Sequence, residues 1–202
     1  DHSVGWPAFA AAHARWEARG ERLGLLHFDA HTDLLPHRLG VRYCFATWAW
    51  HANQLLGADG RLVQVGIRAS GRERAHWEST CNLRQYWASE CAARPVDVIA
   101  EEIIERFEAL GVTAVYVSND IDGTSAEYAA ATGTPEPDGL TPSFVRALTR
   151  AVAGRFPLIG GDLVEVAPPL GGALPGEPEQ TLNVAADYLA DLITLARPAP
   201  SK

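Results

Sequence analysis

Side chains that could bind metal ions are concentrated in three short segments of this sequence. The segments read DHS at residues 1–3, HFDAHTD at residues 27–33 and SNDIDG at residues 118–123. Their candidate ligands are His2, Asp29, His31, Asp33, Asp120 and Asp122. Hard oxygen donors dominate a set of four carboxylates and two imidazoles. The set therefore suits a pair of divalent ions of the manganese type.

The second and third segments each follow an apolar run that predicts a buried strand, over residues 23–28 and 113–117. Alternate side chains at an extended strand end point the same way, so the alternating ligands of each segment are expected to converge. A single Asp-x-His-x-Asp segment could equally serve as a cap or a turn. The Asp-x-Asp after a second strand favours a metal site, because α/β proteins bind ligands at the carboxyl ends of parallel strands.

Strands and helices alternate along the chain. Apolar periodicity and capping residues predict helices over 7–20, 46–56, 96–110, 141–153 and 181–196, and strands over 23–28, 61–68, 113–117 and 156–166. Such alternation indicates an α/β fold with a mainly parallel sheet covered by helices. We expect one domain over residues 1–202. The turn-rich segment at 123–140 is predicted to be a long loop beside the site.

Bulk properties restrict the class of function. Of 202 residues, 17 are basic and 25 are acidic, and the net charge of −8 argues against nucleic acid or an anionic membrane as a partner. No apolar run is long enough to span a bilayer. The three cysteines form neither a paired metal motif nor a closed disulfide framework, which favours a reducing, cytoplasmic location.

The order of these motifs resembles the ureohydrolases, the arginase and agmatinase family. The similar segments are DHS at 1–3, DAHTD at 29–33, VGIR at 65–68, SNDID at 118–122, TGTP at 132–135 and DLVEVAP at 162–168. The resemblance implies an arginase-like three-layer fold. The chain begins in mid-motif and contains no methionine. We therefore expect the first part of that fold, about a hundred residues judging by the family, to be missing.

The resemblance also implies a binuclear manganese site, with two Mn²⁺ per chain. One ion would take His2, Asp29, Asp33 and Asp120. The other would take Asp29, His31, Asp120 and Asp122. A hydroxide bridging the two ions would then attack the central carbon of a guanidinium.

Two residues are implied to be catalytic. Asp122 would accept a hydrogen bond from the nucleophile and pass a proton to the leaving amine. Glu165 would pair with the guanidinium, whose forked donors match a carboxylate. In an ungapped comparison, Cys44 stands where family members often have a histidine proposed as a proton shuttle.

The sequence therefore predicts an agmatinase-like hydrolase that releases urea from a small guanidino compound. A formiminoglutamase-like amidine hydrolase is one alternative. A degenerate member that binds metal without catalysis is another. The family resemblance implies a homo-oligomer, either a trimer or a hexamer.

Overall fold

A five-stranded parallel sheet forms the centre of the computed structural model, which describes residues 1–172 and 174–196. Residues 173 and 197–202, which belong to the predicted domain 1–202, lie outside the described part. In chain order the strands are β1 (Leu23–Phe28), β2 (Leu62–Ile67), β3 (Arg84–Trp87), β4 (Ala114–Asp120) and β5 (Leu158–Val164).

The spatial order of the strands is β3-β2-β1-β4-β5, and every pairing is parallel. Each residue of the inner strands β1, β2 and β4 is buried. Strands covered on both faces read as continuous apolar runs, which is how β1 and β4 look in the sequence. The predicted α/β class with a mainly parallel sheet is confirmed.

Helices make up the outer layers. They are α1 (Gly5–Glu17), α2 (Trp48–Leu55), α3 (Arg74–Cys81), α4 (Ala88–Ala93), α5 (Val96–Ala109), α6 (Pro142–Arg155), α7 (Pro168–Gly171) and α8 (Glu179–Leu195). The sequence-based start of α6 is confirmed, since the Thr141 side chain accepts a hydrogen bond from the Phe144 N–H and Pro142 is the first helical residue. Across the described ranges, no helix combines the length and apolarity needed to cross a bilayer.

The two faces of the sheet support separate apolar cores. On one face, side chains of β1, β2 and β4 pack with α5, α6 and α8; on the other, Phe9 and Trp16 of α1 and Trp48 of α2 pack on the sheet. Helices on both faces of a parallel sheet make a three-layer sandwich. This arrangement leaves the carboxyl ends of the strands free to form a site.

The segment 74–93 forms structure that the sequence pattern did not predict. It folds into α3, β3 and α4, which have eight, four and six residues. Elements this short give little periodicity, and β3 contains an arginine and a glutamine. Pairing with β2 stabilises β3 all the same. The helix expected at 46–56 is shorter than predicted, at Trp48–Leu55.

Candidate metal centre

A cleft of about 490 Å³ opens where the polypeptide leaves the ends of β1, β4 and β5. Five of the six predicted ligands line it, together with Glu165; they are His2, His31, Asp33, Asp120 and Asp122. The sixth, Asp29, is fully buried beneath them. The structure therefore brings all three sequence segments together at one edge of the sheet.

The first acidic segment converges through a turn, which differs from the expected strand alternation. β1 ends at Phe28, and the Asp29 carboxylate accepts a hydrogen bond from the His31 N–H at 2.6 Å. Asp33 then adopts a left-handed backbone with φ of 52°. A hydrogen bond from a backbone N–H to an Asp carboxylate two residues earlier defines an Asx turn. Here that bond also fixes the backbone position of His31. The segment nevertheless continues alongside the sheet, since Ala30 is a bend and His31 forms a parallel bridge with Ala69, and the side chains do meet.

The second acidic segment combines a strand end with a helical turn. Asp120 is the last residue of β4, and its Oδ1 accepts the Asp122 N–H at 3.0 Å. Residues Ile121–Gly123 form one 3₁₀ turn. A Cβ atom on Gly123 would lie 2.8 Å from the Asp29 backbone nitrogen. Only glycine permits this approach, which presses the two acidic segments against each other.

His2 faces three of the carboxylates with one nitrogen. Its Nδ1 lies 3.0 Å from Asp120 Oδ2, 3.4 Å from Asp29 Oδ2 and 3.5 Å from Asp33 Oδ2. The ring is fully buried and stacks on Trp48 with 4.4 Å between ring centroids. The Trp48 indole also donates to Asp33 Oδ2 at 3.0 Å.

The other nitrogen of His2 is held from the far side of the ring. Ser118 Oγ lies 2.9 Å from His2 Nε2, and the Ser118 hydroxyl donates to Asp162 Oδ1 at 2.7 Å. Because that hydroxyl proton is used on Asp162, the serine oxygen is free to accept the Nε2 proton of His2. Nδ1 is then the nitrogen that faces the carboxylates, where it can offer a lone pair to a bound ion or, without one, carry a proton; burial opposes that proton, but hydrogen bonds to Asp120 and Asp29 raise the pKa of His2. Tyr116 donates to the second Asp162 oxygen at 2.8 Å.

His31 contacts the carboxylates on the other side of the cleft. Its Nδ1 lies 3.1 Å from Asp122 Oδ2 and 3.4 Å from Asp29 Oδ1. Thr134, from the loop after β4, donates to Asp122 Oδ2 at 2.9 Å. Asp29 therefore contributes one oxygen to the His2 group and the other to the His31 group. Two groups of potential ligand atoms, each group lying within 4.8 Å, share it: His2, His27, Asp29 and Asp33, and Asp29, His31 and Asp122.

The buried carboxylates of the centre require positive charge nearby if they are all to be ionised. Burial and the neighbouring Asp29 carboxylate raise the pKa of Asp33, Asp120 and Asp122. Burial also opposes ionisation of Asp29, but hydrogen bonds from histidines outweigh it and lower the pKa of Asp29. Contacts with Asp122 and then Asp29 raise the pKa of His31 to about 11. Buried carboxylates in such proximity repel one another unless protons or cations compensate them.

The donor set fits a pair of divalent ions. Its four carboxylates equal the charge of two such ions, and Asp29 turns a different oxygen to each cluster. The two histidines each direct Nδ1 at carboxylate oxygens, which is the position a ligand nitrogen needs. Oxygen-rich sets of this kind favour manganese or magnesium over softer ions.

Glu165 lies on the same cleft, as expected from its position after β5. Its backbone is left-handed, with φ of 61°. The His2 N–H donates to Glu165 Oε1 at 2.8 Å. The carboxylate is thus fixed at one oxygen and faces the cleft partly exposed.

Arg68 fastens the long loop after β4 to the centre. Its guanidinium donates to the carbonyls of Pro137 (2.6 Å), Asp122 (2.8 Å) and Glu136 (2.9 Å). Three longer bonds reach Gly66, Gly123 and Thr124. Six carbonyls therefore surround the five N–H donors of one guanidinium. The sequence pattern identified VGIR but not this role, because nothing in a pattern shows where an arginine side chain will go.

One candidate from the sequence lies outside the cleft, and three residues that were not predicted contact the ligands. Cys44 is half-buried in the loop before α2, outside the residues that line the cleft, and its N–H donates to Thr47. His27, Ser118 and Asp162 surround the ligands and were not predicted as site residues. Polar residues inside an apolar strand pattern were the available indication for His27 and Ser118.

Comparisons with known proteins identify a family. A family model described as "Arginase family" matches residues 1–194. The chain is 36% identical over 173 residues to a guanidinobutyrase of Pseudomonas aeruginosa, covering 84% of this chain and 51% of that protein. It is 35% identical to a mitochondrial agmatinase of Gallus gallus, covering 83% of this chain and 48% of that protein. The chain therefore spans about half the length of these curated relatives.

Solved structures show the same fold. Proclavaminate amidino hydrolase from Streptomyces clavuligerus superposes with a TM-score of 0.80 at 30% identity, over 96% of this chain and 62% of that one. The agmatine ureohydrolase of Thermoplasma volcanium gives a TM-score of 0.77 at 28% identity, over 96% of this chain and 59% of that one. Both superpositions include nearly the whole of this chain.

Proposed function

The chain belongs to the arginase family, and we propose that it forms the metal-binding catalytic domain of a hydrolase that cleaves a C–N bond in a guanidino compound. The observation that carries the proposal is the convergence of four carboxylates and two histidine Nδ1 atoms in one cleft. Relatives named guanidinobutyrase and agmatinase support a guanidino substrate. The proposed domain comprises residues 1–202.

Two manganese ions are the proposed cofactor. His2, Asp29, Asp33 and Asp120 would hold one ion, and Asp29, His31, Asp120 and Asp122 would hold the other. Asp29 is placed to be shared, because its two oxygens face the two histidines separately. When bound, such a pair lowers the pKa of coordinated water and supplies a nucleophile near neutral pH.

Glu165 is proposed to bind the guanidinium of the substrate. One of its oxygens already accepts the His2 N–H, which fixes the plane of the carboxylate at the cleft wall. A planar guanidinium presents paired N–H donors at the spacing of carboxylate oxygens, so the match is directional as well as ionic. Glu165 would thus orient the central carbon of the substrate towards the metal ligands.

Asp122 is proposed to move the proton that the reaction requires. Hydrolysis releases urea and an amine, and the departing nitrogen must gain a proton before the C–N bond breaks. Asp122 Oδ2 faces the cleft and is hydrogen-bonded to Thr134.

Metal content and urea release together test the proposal. Protein loaded with Mn²⁺ and desalted should retain close to two ions per chain and should release urea from at least one of 4-guanidinobutyrate, 3-guanidinopropionate and agmatine. Asp120→Ala is the matched control and should lose both properties. Folded protein that retains no manganese would contradict the metal centre. Retention of metal without hydrolysis of any guanidino or formimino compound would support the non-catalytic alternative.

A cytoplasmic location and a homo-oligomeric state are also part of the proposal. The free cysteines Cys44, Cys81 and Cys91 suit a reducing cytoplasm. A trimer or hexamer is expected from the family resemblance. Light scattering after size-exclusion chromatography measures the mass of the assembly directly.

A further inference from the structure

A chain of buried polar side chains crosses three strands and ends at the metal centre. The Trp87 indole donates to Gln85 Oε1 at 3.0 Å, and Gln85 Nε2 donates to Gln64 Oε1 at 2.8 Å. Gln64 Nε2 lies 3.0 Å from His27 Nδ1, and His27 Nε2 lies 2.8 Å from Asp29 Oδ2. Gln64, Gln85 and His27 are fully buried. The strands involved are β3, β2 and β1.

The direction of every bond in this chain is fixed by its surroundings. An indole N–H can only donate, so the Gln85 atom facing Trp87 must be the amide oxygen. Gln85 must therefore present its NH₂ group to Gln64 and meet the oxygen of that amide. Independently, Gln64 Nε2 also lies 2.7 Å from the Thr32 carbonyl, which can only accept. The contact with Gln85 and the contact with Thr32 thus require the same orientation of the Gln64 amide, with Oε1 towards Gln85 and Nε2 towards Thr32 and His27.

The consequence for His27 is a single tautomer. Because Gln64 donates to Nδ1, that nitrogen must keep its lone pair, and the ring proton must be on Nε2. Nε2 then donates its proton to Asp29 Oδ2. His27 has no lone pair left for a metal ion, although it lies within ligand distance of His2, Asp29 and Asp33.

We infer that His27 is a positioning residue that orients the Asp29 carboxylate and does not bind metal, and that the Trp87–Gln85–Gln64 chain imposes this role. The tautomer follows from the hydrogen bonds alone, whereas the importance of orienting Asp29 rests on the proposed function. Asp29 is the carboxylate whose two oxygens face both halves of the centre. A hydrogen bond to Oδ2 sets the rotation of that carboxylate, and partners of this kind tune metal affinity.

A packing role alone does not explain the arrangement. Apolar side chains of similar volume would fill the same space between strands without any polar group to satisfy. Two buried amides are tolerated only because each finds its partners, and those partners form one continuous line towards Asp29. The line ends at a carboxylate that can only accept.

The tautomer is measured directly by ¹⁵N NMR of protein labelled at histidine. Spectra of the metal-free protein, and of the protein with Zn²⁺ as a diamagnetic probe, should show the His27 proton on Nε2 in both states. A proton on Nδ1, or loss of the Nε2 proton when Zn²⁺ is added, would overturn the inference. A wild-type protein that binds no metal would refute the proposed function while still reporting the tautomer.

Substitution of Gln64 tests the positioning role. Gln64→Met removes the donor to His27 at similar volume, and we expect manganese affinity to fall by about 10- to 100-fold. Asn53→Leu is the matched control, because it removes another fully buried amide, which donates to the Cys81 carbonyl at 2.7 Å. It should lower stability without changing manganese affinity or the His27 tautomer.

A second variant keeps the test decisive if Gln64→Met does not fold. Gln64→Glu retains the size of the side chain and offers an acceptor to His27 Nδ1, so Nδ1 should gain a proton while Nε2 keeps the one that it donates to Asp29. Wild-type manganese affinity in Gln64→Met, or an Nδ1 without a proton in Gln64→Glu, would show that the chain does not control His27.

Discussion

Replacement of Arg68 by methionine should destabilise the protein and release the loop beside the cleft. Methionine keeps most of the aliphatic packing of the arginine stem but removes all five N–H donors. The carbonyls that lose their partner include those of Asp122 and Glu136. The effect should therefore extend from the loop to a proposed metal ligand.

The structure gives the size of this effect. Three of the Arg68 bonds are shorter than 3.0 Å, at 2.6, 2.8 and 2.9 Å. Hydrogen bonds that involve a charged group contribute about 1.5 kcal/mol or more each to stability, which gives at least about 4.5 kcal/mol for three. Water can replace part of the loss because the side chain is only half-buried. We therefore expect a decrease of about 3 kcal/mol in the free energy of unfolding.

Urea unfolding followed by tryptophan fluorescence measures that free energy. Arg72→Met is a suitable control, because Arg72 is exposed and its side chain makes no hydrogen bond within residues 1–172 and 174–196. Hydrogen exchange should accelerate at residues 123–139 in the Arg68 variant only. If both variants unfold within about 0.5 kcal/mol of the parent protein, the guanidinium does not hold the loop.

Further outcomes are expected for single substitutions. Asp120→Ala should remove bound manganese and urea release together, whereas Cys44→Ser, outside the cleft, should keep its metal content by elemental analysis; metal loss in the serine variant would show that the ligand set is wrong. Glu165→Gln should retain both ions yet weaken productive substrate binding by about 2–4 kcal/mol in kcat/KM, and unchanged turnover would point to a neutral substrate. Burial opposes ionisation of Asp191, but the hydrogen bond from Arg146 and its charge help to lower the pKa of Asp191. That pair therefore stabilises the fold at neutral pH and loses its effect as pH falls below about 4; Asp191→Asn should flatten the acid side of the stability profile measured by urea unfolding, and an unchanged profile would exclude the pair as its source.

The sequence predicted most of the framework of this fold because its signals are local. The strand at 23–28 is observed with the predicted limits, and the helix expected at 96–110 ends one residue earlier, at Ala109. Gly111, with φ of 68°, follows that helix as a left-handed stop. By contrast, β3 was missed because its stability comes from pairing with β2, which four residues of sequence do not reveal.

Sequence spacing indicated which side chains would meet at the cleft but not how. The Asp29 hydrogen bond to the His31 N–H and the left-handed Asp33 modify the expected strand end, because side chain to backbone hydrogen bonds compete with strand geometry. His31 still pairs with Ala69 beside β2. The residues that hydrogen-bond to the predicted ligands could not be predicted from the sequence either. Gln64 contacts His27 across a gap of 37 residues, and Ser118 contacts His2 across 116. Contacts between distant segments depend on the register of neighbouring strands, which a single sequence does not specify.

The left-handed backbones of Asp33 and Glu165 at the cleft lower the stability of the folded protein. Each such angle in a non-glycine residue costs on the order of 1 kcal/mol, and the crowded carboxylates add repulsion. Glu165→Gly, which on the proposed function would weaken substrate binding, should therefore raise the melting temperature, a trade-off between activity and stability. Ions that bind only the folded chain would offset this loss of stability in proportion to the logarithm of their concentration. On the proposed function, resistance of this protein to heat and proteolysis becomes a property of its metal supply as well as of its sequence.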